Sequence, residues 1–179
     1  MKLGGVIYLH DITQARMSSK NLGMFRKICG DKFLGNVVLG TTKWDQISPA
    51  DGEQRQKQLQ GECWKEMIEQ GSEVYACKEV TESARAVVNI ILRKIQASGV
   101  YDSIQIQEEL VNLDKYIPET AAGQELRFTV KQYLNTQKGT ANSDDPKAAE
   151  PLKKQLQEQL KALQLPLSVC ILTFLGLRR

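Results

Sequence analysis

Four residues that directly follow an apolar run have the clearest capacity for chemistry in this chain. The run covers residues 37–40, and Thr42-Lys43-Trp44-Asp45 follows one residue later. An open α/β sheet commonly presents polar groups to a ligand at the point where its buried strands end. A lysine and an aspartate in this place therefore predict a ligand-binding loop.

The elements that would position this loop are an alternation of strands and helices over residues 1–99. Short apolar, partly β-branched runs indicate strands, and apolar residues at helical spacing indicate helices. Pro49-Ala-Asp-Gly predicts a turn before the second helix. Short connections between alternating elements are typical of a parallel α/β sheet with right-handed crossovers. The predicted strands are 6–9, 36–42 and 74–77, and the predicted helices are 17–30, 53–70 and 81–99.

Beyond residue 99 the pattern is mainly helical. Apolar spacing predicts two helical stretches within 103–135. Another helix, too short for a coiled coil standing alone, is marked by Leu152, Leu156, Leu160 and Leu163. The predicted domains are a sheet domain over 1–99, a helical extension over 100–137, a polar linker over 138–150, and a helix with an apolar tail over 151–179.

Composition narrows the class of protein. The net charge is +3, and the basic excess lies in the last 29 residues rather than in the sheet domain, which gives no support for a nucleic-acid partner. The apolar run of the tail, residues 165–177, is shorter than the roughly 20 residues that span a bilayer, so we expect no membrane insertion. Four cysteines without a C-x-x-C pair predict reduced structural thiols and a cytoplasmic location.

Several segments resemble one protein family. Thr42-Lys43-Trp44-Asp45 resembles the guanine-specificity motif Asn/Thr-Lys-x-Asp, and the likeness extends over about residues 2–134. The family is the P-loop GTPases, in particular the fungal-type G-domain proteins related to the septin and immune-associated GTPase groups. The principal matching segments are Lys2-Leu3-Gly4-Gly5-Val6-Ile7-Tyr8-Leu9-His10-Asp11-Ile12, Asn21-Leu22-x-Met24-Phe25-Arg26-Lys27-x-Cys29-Gly30, Asn36-Val37-Val38-Leu39-x-Thr41-Thr42-Lys43-Trp44-Asp45 and Gln107-Glu108-Glu109-Leu110-Val111.

The resemblance implies a guanine-binding site for GTP or GDP at Thr42, Lys43 and Asp45. The carboxylate of Asp45 would accept two hydrogen bonds from the imino and amino groups of guanine. Lys43 would lay its stem along the base and reach toward the phosphates, and Thr42 would help to hold the loop. The family's next base-contacting loop corresponds by position to residues 78–80, but its usual Ser-Ala-Lys pattern is absent there.

The same resemblance implies that hydrolysis is lost. The 179 residues contain no Gly-x-x-x-x-Gly-Lys-Ser/Thr phosphate loop and no Asp-x-x-Gly magnesium motif. GTP hydrolysis depends on both, because they position and neutralise the γ-phosphate. We therefore expect no magnesium site, no catalytic residue and no GTPase activity in this chain.

The implied fold is a partial, Rossmann-like P-loop GTPase sheet. Met1 would fall after about half of a G domain, and three contiguous parallel strands would remain with flanking helices and a helical C-terminal extension. The strand at 6–9, central in the family, would become an exposed edge. This leaves an alternative function, in which the sheet edge and the helix at 152–163 bind a protein partner or a second copy of the chain.

Overall fold

The chain forms two compact units, Met1–Gln107 and Glu108–Arg179. The computed structural model describes residues 3–14, 16–98, 103–139, 154–158 and 160–164. The first unit ends eight residues beyond the boundary that the sequence predicts at residue 99.

Three parallel strands form the sheet of the first unit. They are β1 (Val6–Asp11), β2 (Val37–Thr42) and β3 (Glu73–Ala76), in the order β1-β2-β3. β2 pairs with both neighbours and is buried along most of its length. The prediction of a mixed α/β fold with three parallel strands is confirmed, and β1 is an edge of the described sheet.

Six α-helices lie between residues 19 and 139 in the described parts of the chain, together with short 3-10 and π turns. The helices are α1 (Ser19–Cys29), α2 (Pro49–Gln58), α3 (Lys65–Glu69), α4 (Val80–Ser98), α5 (Gln105–Gln107) and α6 (Ala121–Gly139). Each of the three helices predicted over residues 17–99 is present, with different boundaries.

The predicted turn at 49–52 is wrong, because this segment opens α2. The Ser48 hydroxyl accepts a hydrogen bond from the Asp51 N–H at 3.2 Å, and Pro49 occupies the first helical turn. Proline suits this position, since it has no N–H to leave unpaired and its φ is already helical. The predicted helix 53–70 also differs, since a π turn at Leu59–Cys63 separates α2 from α3.

The core of the first unit lies between the sheet and α1, the turn at Asp31–Asn36 and the π turn. Trp64 is fully buried there, and its ring is nearly perpendicular to that of His10, with the ring centres 6.3 Å apart. Lys94 of α4 donates hydrogen bonds of 2.8 Å to the carbonyls of Gly35 and Gly71, which ties α4 to both connections that lead into strands.

The second unit is organised around a buried carboxylate. Glu109 is buried and accepts from Ala121 N–H at 3.0 Å, at the start of α6, and from Lys115 Nζ at 2.9 Å. Of the two helical stretches predicted in 103–135, the first is short and ends at Asn112, and the second is α6.

Several predictions concern residues at the C-terminal end of the chain. Residues 154–158 and 160–162 are helical, which confirms the described part of the predicted helix. Leu152, Cys170 and the tail 165–179 lie outside the described residues. The predicted linker 138–150 overlaps α6 at its first two residues, and the rest of it is also outside.

In the part of the chain that the structure describes, no helix combines the length and apolar character needed to cross a bilayer.

Replacing Trp64 with alanine tests the described core. The side chain is fully buried, so Trp64→Ala should lower the free energy of unfolding by about 3–5 kcal/mol, measured by urea denaturation with circular dichroism. Leu113→Ala, at a residue that is 58% exposed, is the control and should change it by less than about 0.5 kcal/mol. Equal losses in the two variants would contradict the assigned core.

Candidate functional site

The burial of β2 determines where its polar residues can lie. Val37, Val38 and Leu39 have no exposed surface, and the strand reaches the protein surface only at its carboxyl end. Gly40 leaves space for the Leu9 side chain, since a Cβ there would lie 2.7 Å from Leu9 Cδ2. The Lys43 and Asp45 side chains are therefore presented where the strand leaves the core.

A hydrogen-bonded anchor holds the loop that follows β2. The buried Thr41 hydroxyl donates to Gln56 Oε1 at 3.0 Å and accepts from Trp44 Nε1 at 3.0 Å. Gly52 gives the Trp44 ring its space, because a Cβ at residue 52 would lie 2.8 Å from a ring carbon. The loop is thus attached to α2 by the hydrogen bond from Thr41 to Gln56 and by the packing of the Trp44 ring against Gly52.

Lys43 turns the chain and pairs with Asp11. Its backbone is left-handed, with φ 61° and ψ 39°, which costs about 1–2 kcal/mol in a residue other than glycine. Its Nζ lies 2.6 Å from Asp11 Oδ2. Asp11 is opposite Thr42 in the parallel register, so the carboxyl ends of β1 and β2 bring the two charges together. The Thr42 hydroxyl also contacts β1, donating to the His10 carbonyl at 3.3 Å.

The surroundings of Asp11 favour its ionised form. The hydrogen bond from Lys43, followed by those from the Thr13 hydroxyl at 2.6 Å and N–H at 2.9 Å, holds the pKa of Asp11 well below its usual range. Asp11 was not predicted as a site residue. The sequence signal is its place shortly after the apolar run at 6–9, as Lys43 stands shortly after the apolar run at 37–40.

A groove of about 500 Å³ lies beside this charge pair. One end is polar, where Lys43, Asp45 and Lys78 meet, and the remainder is mainly apolar. Its size is within the roughly 300–1,000 Å³ of small-molecule sites. The lining residues come from β1, from the end of β2, from the loops that follow β2 and β3, and from α4: Ile7, Leu9, Thr42, Lys43, Trp44, Asp45, Cys77, Lys78, Ser83, Ala84, Val87 and Val88.

At the polar end of the groove, Lys78 contacts another side chain, whereas Asp45 has no partner among the described residues. Lys78 Nζ lies 4.9 Å from the centre of the Trp44 ring, which is a cation–π contact. The Trp44 ring therefore packs within the protein and is not free to stack on a base. Asp45 is exposed and makes no hydrogen bond or ion pair with any described residue. Its carboxylate is therefore open to an external hydrogen-bond donor.

His10 and the described cysteines lie in surroundings that favour a structural role over a chemical one. Burial lowers the pKa of His10, which keeps its imidazole neutral against Trp64. Cys29, Cys63 and Cys77 are free thiols, and burial raises the pKa of Cys29 to about 11, which suppresses its thiolate form. Among the described residues, no group of three or more His, Cys, Asp or Glu side chains could hold a metal ion.

A second groove, of about 280 Å³, lies beside α2 and the π turn. Arg55 is one of its lining residues, together with Arg16 and Glu62. The Arg55 guanidinium donates to the carbonyls of Ile12 and Thr13 at 3.1 and 2.7 Å. Arg55 therefore holds the loop after β1, and Glu62 adds an opposing charge to this groove.

Comparisons with protein-family models, with curated proteins and with solved structures found no match for this chain. The relationship to P-loop GTPases therefore stays a prediction from the residues quoted above.

The ion pair between Lys43 and Asp11 predicts a pH-dependent loss of stability in Lys43→Asn. Asparagine tolerates left-handed backbone, so the variant removes the charge without imposing a new strain. The pKa of Asp11, followed by NMR titration, should rise toward about 3.9. Because the folded pKa of Asp11 is lowered, the stabilisation is present above pH 4 and is lost as the pH falls through the lowered pKa.

Asp11→Asn and the double variant complete this test in urea denaturation. At pH 7 the two single losses should not add, since both remove one interaction. The difference between Lys43→Asn and the parent chain should shrink as the pH falls below 4. Additive losses that are independent of pH would contradict the pairing.

Proposed function

We propose that the groove at the carboxyl end of β2 binds a guanine base, with Asp45 as the residue that recognises it. The observation that carries this proposal is the exposed Asp45 carboxylate, which has no partner among the described residues and lines an apolar groove of about 500 Å³ beside Lys43. The resemblance of residues 42–45 to a guanine-specificity motif supports the same assignment.

Asp45 has the chemistry that guanine requires. A carboxylate is only an acceptor, and its two oxygens can take the imino and amino protons of guanine together. Adenine has no matching pair of donors on that edge, so one oxygen would remain unpaired. A site built on such hydrogen bonds discriminates strongly against analogues that lack them.

The remaining lining residues divide into a polar flank and an apolar floor. Leu9, Val87 and Val88 supply apolar surface for the face of a planar base. Lys43 adds its aliphatic stem, while its ammonium group pairs with Asp11 instead of extending freely toward a phosphate. Lys78 lies at the same end of the groove and is the cation best placed to meet an anionic substituent of the ligand.

The proposal is limited to recognition of the base and does not include hydrolysis. The 179 residues contain neither a phosphate loop nor an Asp-x-x-Gly motif. Contacts to the base alone correspond to a dissociation constant of about 1 mM, or roughly −4 kcal/mol. GTP should therefore bind about as weakly as guanosine and should not be turned over.

Exchanging the acceptor at Asp45 tests the proposal. Asp45→Asn replaces one acceptor oxygen with a donor, which matches the xanthine edge, where a carbonyl stands in place of the amino group. In ligand-observed NMR titrations the parent chain should prefer guanosine, and the variant should bind guanosine about 10-fold to 100-fold more weakly while gaining xanthosine.

Asp31→Asn is the matched control, since Asp31 is exposed and does not line the groove. It should leave both affinities unchanged. Equal binding of guanosine, adenosine and xanthosine by the parent chain, or an unchanged preference in Asp45→Asn, would overturn the proposal. Phosphate release from GTP by the purified chain would overturn its restriction to binding.

A further inference from the structure

We propose that two copies of this chain associate through the open edge of β1, forming a continuous sheet of six strands. The pairing is antiparallel, about a two-fold axis perpendicular to the sheet. The backbone pairing itself uses neither Asp45 nor Lys43, although Leu9 and Val88 belong both to this contact and to the apolar surface of the groove. The argument rests on the backbone of β1 and on apolar side chains that lie beside it.

The hydrogen bonds of the sheet show which backbone groups of β1 are unused. Ile12 N–H donates to the Thr42 carbonyl at 3.0 Å, so residue 12 directs its backbone groups toward β2. In a parallel pair this direction alternates, so Tyr8 and His10 also face β2. Ile7 and Leu9 consequently direct their N–H and C=O groups to the open side, where no described strand pairs with them.

The assignment is checked by the other side of β2. The alternation predicts that the Thr41 carbonyl points away from β1 and toward β3. Cys77 N–H does donate to the Thr41 carbonyl, at 2.8 Å. The outward direction of the Ile7 and Leu9 backbone groups therefore follows from two independent hydrogen bonds.

An antiparallel copy of β1 is complementary to this edge. With the two-fold axis through Tyr8, Ile7 lies opposite Leu9 of the second copy, and each such pair exchanges both N–H···O=C bonds. The two-fold axis also places Leu9 of the first copy opposite Ile7 of the second. The two pairs together form four hydrogen bonds. Side chains that face each other lie on the same side of the combined sheet, which a perpendicular two-fold axis requires.

The side chains near the edge have the same symmetry. Ile7 and Leu9 are 40% and 59% exposed, on the face that carries α4. An apolar stripe on α4, formed by Ala84, Val88 and Leu92 at i, i+4 and i+8, is also exposed. Ala84 and Val88 line the same groove as Ile7 and Leu9. A second copy would bring two such surfaces together across the axis.

Among the described residues β1 shows few of the devices that keep edge strands apart, and its one carboxylate, Asp11, is paired with Lys43. Natural edges are protected by lysine, proline, bulges or a covering element. The six residues of β1 include no lysine and no proline, and they pair with β2 in unbroken register. An edge with apolar, outward-facing residues and these unused backbone groups is suited to pairing with its own copy.

Substitution of Leu9 by lysine tests the interface. Leu9→Lys places a charge beside the two-fold axis, where it would face Ile7 of the second copy. Sedimentation equilibrium should show a concentration-dependent dimer for the parent chain and a monomer for the variant. Leu113→Lys is the matched control, since Leu113 is 58% exposed and does not line the groove, and it should remain dimeric.

Amide hydrogen exchange gives a residue-specific readout. In the dimer the amides of Ile7 and Leu9 should exchange at least 10-fold more slowly than in Leu9→Lys, whereas Tyr8 and His10, bonded to β2, should be protected in both. Ile7→Pro should also give a monomer, because it removes an outward N–H that β2 does not use. Circular dichroism checks that both variants are folded.

The outcomes separate this inference from base recognition. A parent chain that is monomeric at every concentration, or a dimer that persists in both Leu9→Lys and Ile7→Pro, would overturn the pairing. Asp45→Asn should remain fully dimeric, so a loss of guanosine preference in that variant tests only the proposed function. A monomeric parent that captures another protein at this edge would also overturn the assignment of a second copy.

Discussion

The rest of the first unit depends on the burial of the first five residues of β2. A buried strand must place every backbone polar group in a hydrogen bond, and β2 does so by pairing with β1 on one side and β3 on the other. Its side chains must then be apolar or small, as Val37, Val38, Leu39 and Gly40 are. Polar chemistry can begin only where the strand leaves the core.

This constraint explains why the two charges of β1 and β2 meet. Parallel neighbours end at the same edge of a sheet, and the register places Asp11 beside the residue that precedes Lys43. Their pairing stabilises a left-handed turn that lysine seldom adopts. The turn, together with the Trp44 anchor, leaves Asp45 at the wall of the groove without an internal partner among the described residues.

β1 contributes to two surfaces at once. Its inner side completes the pairing of β2, and its outer side carries unused backbone groups together with Ile7 and Leu9. Leu9 crosses Gly40 and forms part of the floor of the groove, yet remains largely exposed. The apolar end of the groove and the proposed dimer contact therefore share residues, while the polar end with Asp45 is separate from both.

The sequence was sufficient where one pattern dominates. The apolar runs at 6–9, 36–42 and 74–77 predict the three strands because burial favours such runs. Proline and glycine at 49–52 predict a turn, whereas the Ser48 cap makes these residues the first turn of a helix. The π turn at Leu59–Cys63 could not be predicted, because the apolar spacing continues through it. The partner of Lys43 depended on the register of two strands 31 residues apart, which only the fold determines.

The central claim is that a base binds beside Asp45, and chemical-shift mapping tests it most directly. Guanosine added to the ¹⁵N-labelled chain should shift the amides of residues 42–45, Lys78 and the first turns of α4, in a saturable and concentration-dependent manner. An absence of shifts at these residues, or shifts confined to the second groove around Arg16 and Arg55, would contradict the account.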